Sequence, residues 1–128
     1  MKQALDDIFN TLRDSSEALG VGLVDENGLV VQSAGDHGGK RVDELVPLML
    51  AFYPPQLARL EQFLEDAMSE HIAMGRNHCF YMVRMRRRYV LYVLTTGPNS
   101  KARPALRRAR ADLLPLLRDD GLLTTPGD

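Results

Sequence analysis

Two apolar runs in the second half of the chain place the strongest constraint on its fold. His78 to Met85 and Tyr89 to Thr95 are rich in aromatic and branched residues that alternate with a period of two, which indicates β-strands. Both alternating sets are apolar in each run, with Phe80 and Met82 against Cys79, Tyr81, Val83 and Met85, and with Val90, Tyr92 and Leu94 against Tyr89, Leu91 and Val93. A strand that is apolar on both sides has to be covered on both sides. The sequence therefore predicts a sheet between two other layers.

Helical patterns supply those layers. The apolar residues Leu5, Ile8, Phe9 and Leu12 lie on one face of a first helix, and Leu106, Ala109, Leu113, Leu116 and Leu117 lie on one face of a last helix. Between them, Val42 to Met68 follows a helical period in two pieces. Because Pro54 and Pro55 cannot continue a regular helix, a bend is predicted near Tyr53.

A hairpin and a further strand complete the predicted elements. Leu19 to Ala34 contains two short apolar runs around Asp25-Glu26-Asn27-Gly28, and pairing apolar residues across the strands would set Val24 opposite Leu29 and Leu23 opposite Val30. Gly20 and Gly22 leave one face of the first strand bare, which favours the close approach of a helix; the alternative is a local bulge in the strand. The additional strand is predicted at His71 to Gly75.

Length and composition favour one globular domain. The chain has 128 residues, of which 45% are hydrophobic, and its formal net charge of -1 gives no general attraction to nucleic acid or to an acidic membrane. It has one cysteine, no apolar signal sequence at its start and no apolar run long enough to cross a bilayer. We therefore predict a soluble cytoplasmic protein without membrane insertion, with a domain over residues 1–118 and a flexible tail over 119–128.

The residue types that carry catalysis do not cluster in this sequence. His71, His78 and Cys79 lack the paired spacing of a zinc site, and neighbouring strand residues such as His78 and Cys79 point to opposite faces. The glycine-rich segment that ends in Lys40 lacks the GxxxxGK spacing of a nucleotide loop, and Arg41 follows that lysine. We predict a protein that is not an enzyme and that binds no metal or cofactor.

Arginines cluster between the last two predicted strands. Arg84 and the Arg86 to Arg88 run could contact phosphates, form a solvated hairpin tip or dock a protein. No aromatic residue interleaves with these arginines to stack on bases. We therefore predict no nucleic-acid partner, and the role of this cluster stays open.

The second piece of the central helix has more apolar surface than one sheet needs. Its apolar residues are Leu57, Leu60, Phe63, Leu64, Ala67 and Met68. Such a broad stripe either belongs to the core of the molecule or remains for a partner. We favour the second interpretation.

The order helix, hairpin, long central helix, three-stranded meander and final helix resembles the Roadblock/LC7 family over nearly the whole chain. The hairpin Gly20 to Val31 and the strand Tyr89 to Leu94 carry the resemblance most clearly. It implies an α+β, profilin-like fold of order α-β-β-α-β-β-β-α, with a five-stranded antiparallel sheet between helices. The first and last helices would cover one face of the sheet, and the central helix would cover the other.

The resemblance also implies partners. Family members dimerise through their central helices and third strands, which here assigns a dimer interface to Leu57, Leu60, Phe63, Leu64, Ile72 and Met74. They commonly bind small Ras-like GTPases, and the bacterial ones resemble regulators and adaptors of gliding-motility and cell-polarity switches. Gln56, Arg59 and Gln62 would then face the GTPase or another Roadblock protein. The alternatives are a small-ligand sensor of profilin-like or PAS-like architecture and a scaffold that contacts no GTPase.

Overall fold

The computed structural model describes residues 2–25, 27–50, 56–66, 68–86 and 89–120. The helices are α1 (Lys2–Ser16), α2 (Val42–Leu50), α3 (Gln56–Leu64) and α4 (Ala102–Asp120), and a short 3₁₀ turn covers His37–Gly39. The strands are β1 (Gly20–Asp25), β2 (Val30–Gly35), β3 (Glu70–Met74), β4 (Cys79–Arg86) and β5 (Tyr89–Thr95). The predicted α+β class and element order are confirmed, with the central helix in two pieces.

The five strands form one antiparallel sheet in the order β2-β1-β5-β4-β3. β5 pairs with β1 on one side and with β4 on the other, so the most apolar strand lies in the centre. β2 and β3 are the edge strands. The predicted sheet is therefore confirmed, and β3 is left with one unpaired side among the described residues.

Helices α1 and α4 close one face of the sheet, which we call the sealed face. Phe9 and Leu12 of α1 pack there with Leu106 and Leu113 of α4, and all four side chains are buried. The thiol of Cys79 is fully buried in the same cluster. The alternate residues Tyr81, Val83, Met85, Leu91 and Val93 of β4 and β5 complete this core.

The opposite face carries α2 and is called the open face. Its buried core is small and consists of Val24, Val46, Met49, Met82 and Tyr92. Val46 and Met49 come from α2, and the other three side chains come from three different strands. The predicted division of helices between the two faces is thus confirmed for α1, α2 and α4.

A buried histidine occupies the bare face of β1. The His37 ring is 1% exposed, and its Nε2 lies 2.7 Å from the Tyr92 hydroxyl oxygen. A Cβ atom on Gly20 would overlap the His37 ring, and one on Gly22 would come within 2.6 Å of the Tyr92 ring. The element that approaches this face is the short 3₁₀ turn His37–Gly39 and not a longer helix, and its histidine ring fills the space together with the ring of Tyr92.

The predicted register of the hairpin was also wrong. Val24 lies opposite Val30 and Leu23 opposite Gln32, with a β-bulge between the two pairs. The carboxylate of Asp25 accepts hydrogen bonds from the backbone N–H groups of Asn27 at 2.9 Å and Leu29 at 3.0 Å. Because this side chain satisfies the amides of the tip, the turn is stabilised without the apolar pairs on which the prediction relied.

Three predictions fall partly on residues that are not described. The bend near Tyr53 lies within 51–55, and Arg87 and Arg88 lie between the described ends of β4 and β5. Helix α4 continues through Pro115 to Asp120, and residues 121–128 lie outside the described part, so the domain and tail boundaries remain predictions. Within the described ranges, no helix combines the length and apolar character needed to cross a membrane.

Candidate interaction surface

Helix α3 presents apolar side chains to solvent. Phe63 is 85% exposed, and Leu60 and Leu64 are about half exposed, whereas Leu57 is half-buried. Removing such large apolar groups from water is favourable by about 25 cal/mol per Å². Covering these side chains of α3 with another molecule would therefore be energetically favourable.

Strand β3 adds apolar residues at the edge of the sheet. Met74 is 64% exposed, and Ile72 is also exposed. Ile72 lies opposite Tyr81 and Met74 opposite Cys79, both of which belong to the sealed-face core. Since directly paired residues of neighbouring strands point to the same side, Ile72 and Met74 lie on the α4 side of the sheet, away from the core residues of the open face.

The open-face side of β3 and β4 forms a groove. It has a volume of about 490 Å³ and is lined by His71, Ala73, Phe80 and Met82, with the backbone of β3 along its edge. Phe80 and His78 continue into a second groove of about 440 Å³ beside α2, where Leu45, Leu48 and Leu94 line the wall. Both grooves open to solvent and are mainly apolar, so they extend the uncovered surface from β3 to α2.

One carboxylate attaches α3 to the rest of this surface. Glu61 Oε2 accepts a hydrogen bond from the Met68 backbone N–H at 2.7 Å and another from Arg84 Nη1 at 3.2 Å. These two donors, the backbone one first, lower the pKa of Glu61, and the nearby His71 adds a smaller electrostatic contribution. The Glu61 side chain therefore stays ionised and ties α3 to the β3 and β4 end of the sheet.

A second carboxylate attaches β3 to the sealed face. Glu70 lies 3.0 Å from Arg107 and 3.4 Å from Arg103, both on α4. The hydrogen bond from Arg107 is the main cause of the lowered pKa of Glu70. Glu70 thus links the edge strand to α4 on the sealed face through two ion pairs, and Glu61 links α3 to β4 on the open face through one.

The structure brings some of the predicted interface residues together and separates others. Leu60, Phe63 and Leu64 share one exposed helix surface, whereas the side chains of Ile72 and Met74 lie on the opposite side of β3 from those of His71 and Ala73. Of the predicted partner-binding residues, Arg59 and Gln62 are exposed on α3, and the side chain of Gln56 lies outside the described part.

Sequence reasoning missed part of this surface. Leu48 on α2 is strongly exposed, and Phe80 is the residue that joins the two grooves. The alternation of β4 already placed Phe80 on the face opposite Cys79, so the signal for a groove residue was present in the pattern. Within the described ranges, no group of three or more His, Cys, Asp or Glu side chains is arranged to hold a metal ion.

Comparison with known proteins gives structural matches without sequence-based ones. No protein-family model matches the chain, and no curated protein matches it. Myxococcus xanthus MglB superposes with a TM-score of 0.79 at 21% identity, over 98% of this chain and 94% of that one. The gliding protein MglB of Thermus thermophilus gives 0.77 at 18% identity, over 91% and 90%.

A Roadblock/LC7 domain from Streptomyces avermitilis also matches, with a TM-score of 0.69 at 18% identity, over 93% of this chain and 98% of that one. These matches cover almost the full length of each protein, so they describe the whole arrangement of helices and strands. The chain therefore has the fold of Roadblock/LC7 domains, as its order of elements predicted.

Proposed function

We propose that this protein is a self-associating regulator or adaptor without catalytic activity, which binds a small Ras-like GTPase or its co-regulators in a bacterial motility and polarity switch. The observation that carries the proposal is the exposed apolar surface of α3, formed by Leu60, Phe63 and Leu64, on a sheet whose edge strand β3 also exposes Ile72 and Met74. Regulators of this kind act by contact, so they need an extended apolar surface more than a cleft with reactive groups. The likeness of fold to the gliding protein MglB supports the motility assignment.

Self-association explains the distribution of exposed residues. A symmetric dimer uses the same patch on both copies. Pairing through β3 would satisfy the free backbone groups of the edge strand, and the neighbouring α3 helices would cover Phe63, Leu60 and Leu64. A single molecule leaves all of these groups in water.

Sedimentation velocity tests this first step. The wild-type protein should sediment as a dimer at tens of micromolar, and Phe63→Asp should sediment as a folded monomer, because Phe63 is 85% exposed and makes little contribution to the core. Asn10→Asp places the same charge at an exposed site on α1 and should remain dimeric. A monomeric wild-type protein, or equal behaviour of the two variants, would contradict the proposed dimer.

The regulatory step needs a second measurement. We expect the dimer to bind a Ras-like GTPase of the same organism and to change its rate of GTP hydrolysis or of nucleotide release. If Arg59 acted directly on the transferred phosphoryl group, Arg59→Ala would lower the stimulated hydrolysis rate by about 10³- to 10⁵-fold. A small loss in this variant would indicate regulation through conformation, and absence of binding to every such GTPase would reduce the proposal to a scaffold.

A further inference from the structure

The position of α3 depends on polar contacts more than that of the other helices. None of its described residues belongs to either buried core of the molecule. Glu61 lies one helical turn after Leu57, on the side of α3 directed to the sheet, and it binds both the Met68 N–H and the Arg84 guanidinium. The carboxylate that holds the helix therefore also holds the backbone at Met68, two residues before β3.

Arg84 is well suited to hold this carboxylate. Its backbone N–H donates to Ser69 O at 2.8 Å, and its carbonyl oxygen accepts from Arg110 Nε of α4 at 3.4 Å. Its side chain is 29% exposed and that of Glu61 is 19% exposed, so water screens this pair less than the surface pairs. The main chain of Arg84 is thus fixed from the sheet and from the sealed face, while its guanidinium reaches the open face.

We propose that Glu61 and Arg84 form a clasp that holds α3 with Leu60, Phe63 and Leu64 turned toward a second copy of this chain. Both are then positioning residues for self-association, and this inference rests on the proposed function. A surface whose orientation is fixed before contact loses less conformational freedom when it binds. The clasp raises affinity in this way although neither residue needs to touch the second copy.

The size of the effect follows from the number of clasps. The apparent dissociation constant rises as the fraction of molecules with a correctly placed helix falls. The loss of a hydrogen bond to a charged group changes the equilibrium constant between the correctly placed helix and its other positions by about tenfold or more. Because a symmetric dimer contains two clasps, their loss should raise its dissociation constant by about tenfold per copy, or about 100-fold in total.

Sedimentation equilibrium on five forms of the full chain tests the clasp. Glu61→Gln and Arg84→Gln each remove one charge of the pair, and both should raise the dissociation constant of the dimer. Arg84→Lys keeps the cation and should recover part of the affinity. Glu65→Gln is the matched control, since it removes a charge from the exposed residue just after α3, and it should bind like wild type.

Hydrogen exchange supplies a readout that a general loss of stability would not produce. At protein concentrations below the dissociation constant of the dimer, the amides of residues 60–66 should exchange faster in Glu61→Gln than in wild type. The amides of β5 should exchange at the same rate in both proteins. Faster exchange throughout the molecule would overturn the clasp, because it would indicate a structural role for the whole fold.

The outcomes also separate the clasp from the dimer itself. If wild type forms dimers and Glu61→Gln binds as tightly as Glu65→Gln, the clasp is overturned and the proposed function stands. If wild type stays monomeric at every concentration, the proposed self-association fails and the clasp fails with it. Weakened dimers in both pair variants, with recovery in Arg84→Lys, support the clasp.

Discussion

The sealed face and the open face of the same sheet differ in how completely this chain covers them. On the sealed face, α1 and α4 bury a continuous cluster that includes Phe9, Leu12 and Leu113. On the open face, α2 contributes Val46 and Met49, while α3 leaves its largest apolar residue in water. The strands have apolar residues on both sides, so the difference comes from the helices and not from the sheet.

The two faces therefore contribute differently to folding and to association. The sealed face contains most of the buried apolar area and therefore most of the stability of the single chain. Among the described residues, the buried cluster of the open face lies around α2, and Leu60, Phe63 and Leu64 of α3 remain exposed. Substitutions at the buried residues of either face should act on folding, whereas those at the exposed apolar residues of α3 should act on association.

The largest expected effect compares one phenylalanine on each face. Phe9→Ala should lower the free energy of unfolding by about 3–5 kcal/mol, because it leaves a cavity in a fully buried core. Phe63→Ala should change that free energy by less than about 0.5 kcal/mol at concentrations where the chain is monomeric. Urea unfolding measures both values, and equal losses would remove the distinction between the faces.

The glycines under the His37 and Tyr92 rings test how tightly the small core of the open face is packed. Gly22→Ala should lower the free energy of unfolding by about 1–3 kcal/mol, since its Cβ would lie 2.6 Å from the Tyr92 ring. Gly97→Ala is the control, because nothing lies within 4 Å of a Cβ at that position. A tolerated Gly22→Ala in urea unfolding would show that the open face can repack.

Protonation of His37 should also act on the open face. Burial lowers its pKa from the usual 6.5, partly opposed by its contacts with Gly35 and Asp36, and burial likewise lowers the pKa of His71. Below pH 6.5 the unfolded chain therefore binds more protons than the folded chain. The stability that comes from burying the neutral imidazoles is fully present above this pH and is lost as the pH falls.

We therefore expect the free energy of unfolding, measured by urea titration, to be constant above about pH 7 and to decrease toward pH 5, by at most about 1.4 kcal/mol per pH unit for each of the two histidines. His37→Asn, which suits the positive φ of this position, should flatten the slope. His78→Asn makes the same substitution at an exposed position and is the matched control. Identical slopes in all three proteins would contradict a role for His37.

The smallest effect concerns Glu70, which links the β3 edge to α4. Glu70→Gln should lower the free energy of unfolding by about 0.2–1 kcal/mol, because its arginine partners are largely exposed. The loss should become smaller in 1 M salt. Glu44→Gln, which breaks an exposed contact with Arg41 at the start of α2, provides the comparison and should have less effect than Glu70→Gln.

The sheet was predictable because its signals are local. The alternation in Tyr89 to Thr95 gave the bounds of β5 as observed, and the same pattern assigned Cys79 and Phe80 to opposite faces. The exposed stripe of α3 was also visible, since Phe63 and Leu64 exceed what one helix face of the core can bury.

The buried histidine and the sides of β3 were not predictable in the same way. His37 stands in a polar, glycine-rich segment, and its partner Tyr92 lies 55 residues away, so only the tertiary structure brings them together. The side to which Ile72 points depends on its pairing with Tyr81, which the turn between β3 and β4 determines. The hairpin register failed for a related reason, because the carboxylate of Asp25 organises the tip.

The position of Cys79 gives this protein its own reporter. Its sulfur is fully buried under α1 and α4, and the sequence contains one cysteine. A thiol reagent can reach it only when the sealed-face core opens. The rate of labelling therefore measures how often that part of the molecule opens. Because no described residue of α3 belongs to the cluster around Cys79, labelling can distinguish a substitution on α3 that loosens the fold from one that only weakens self-association.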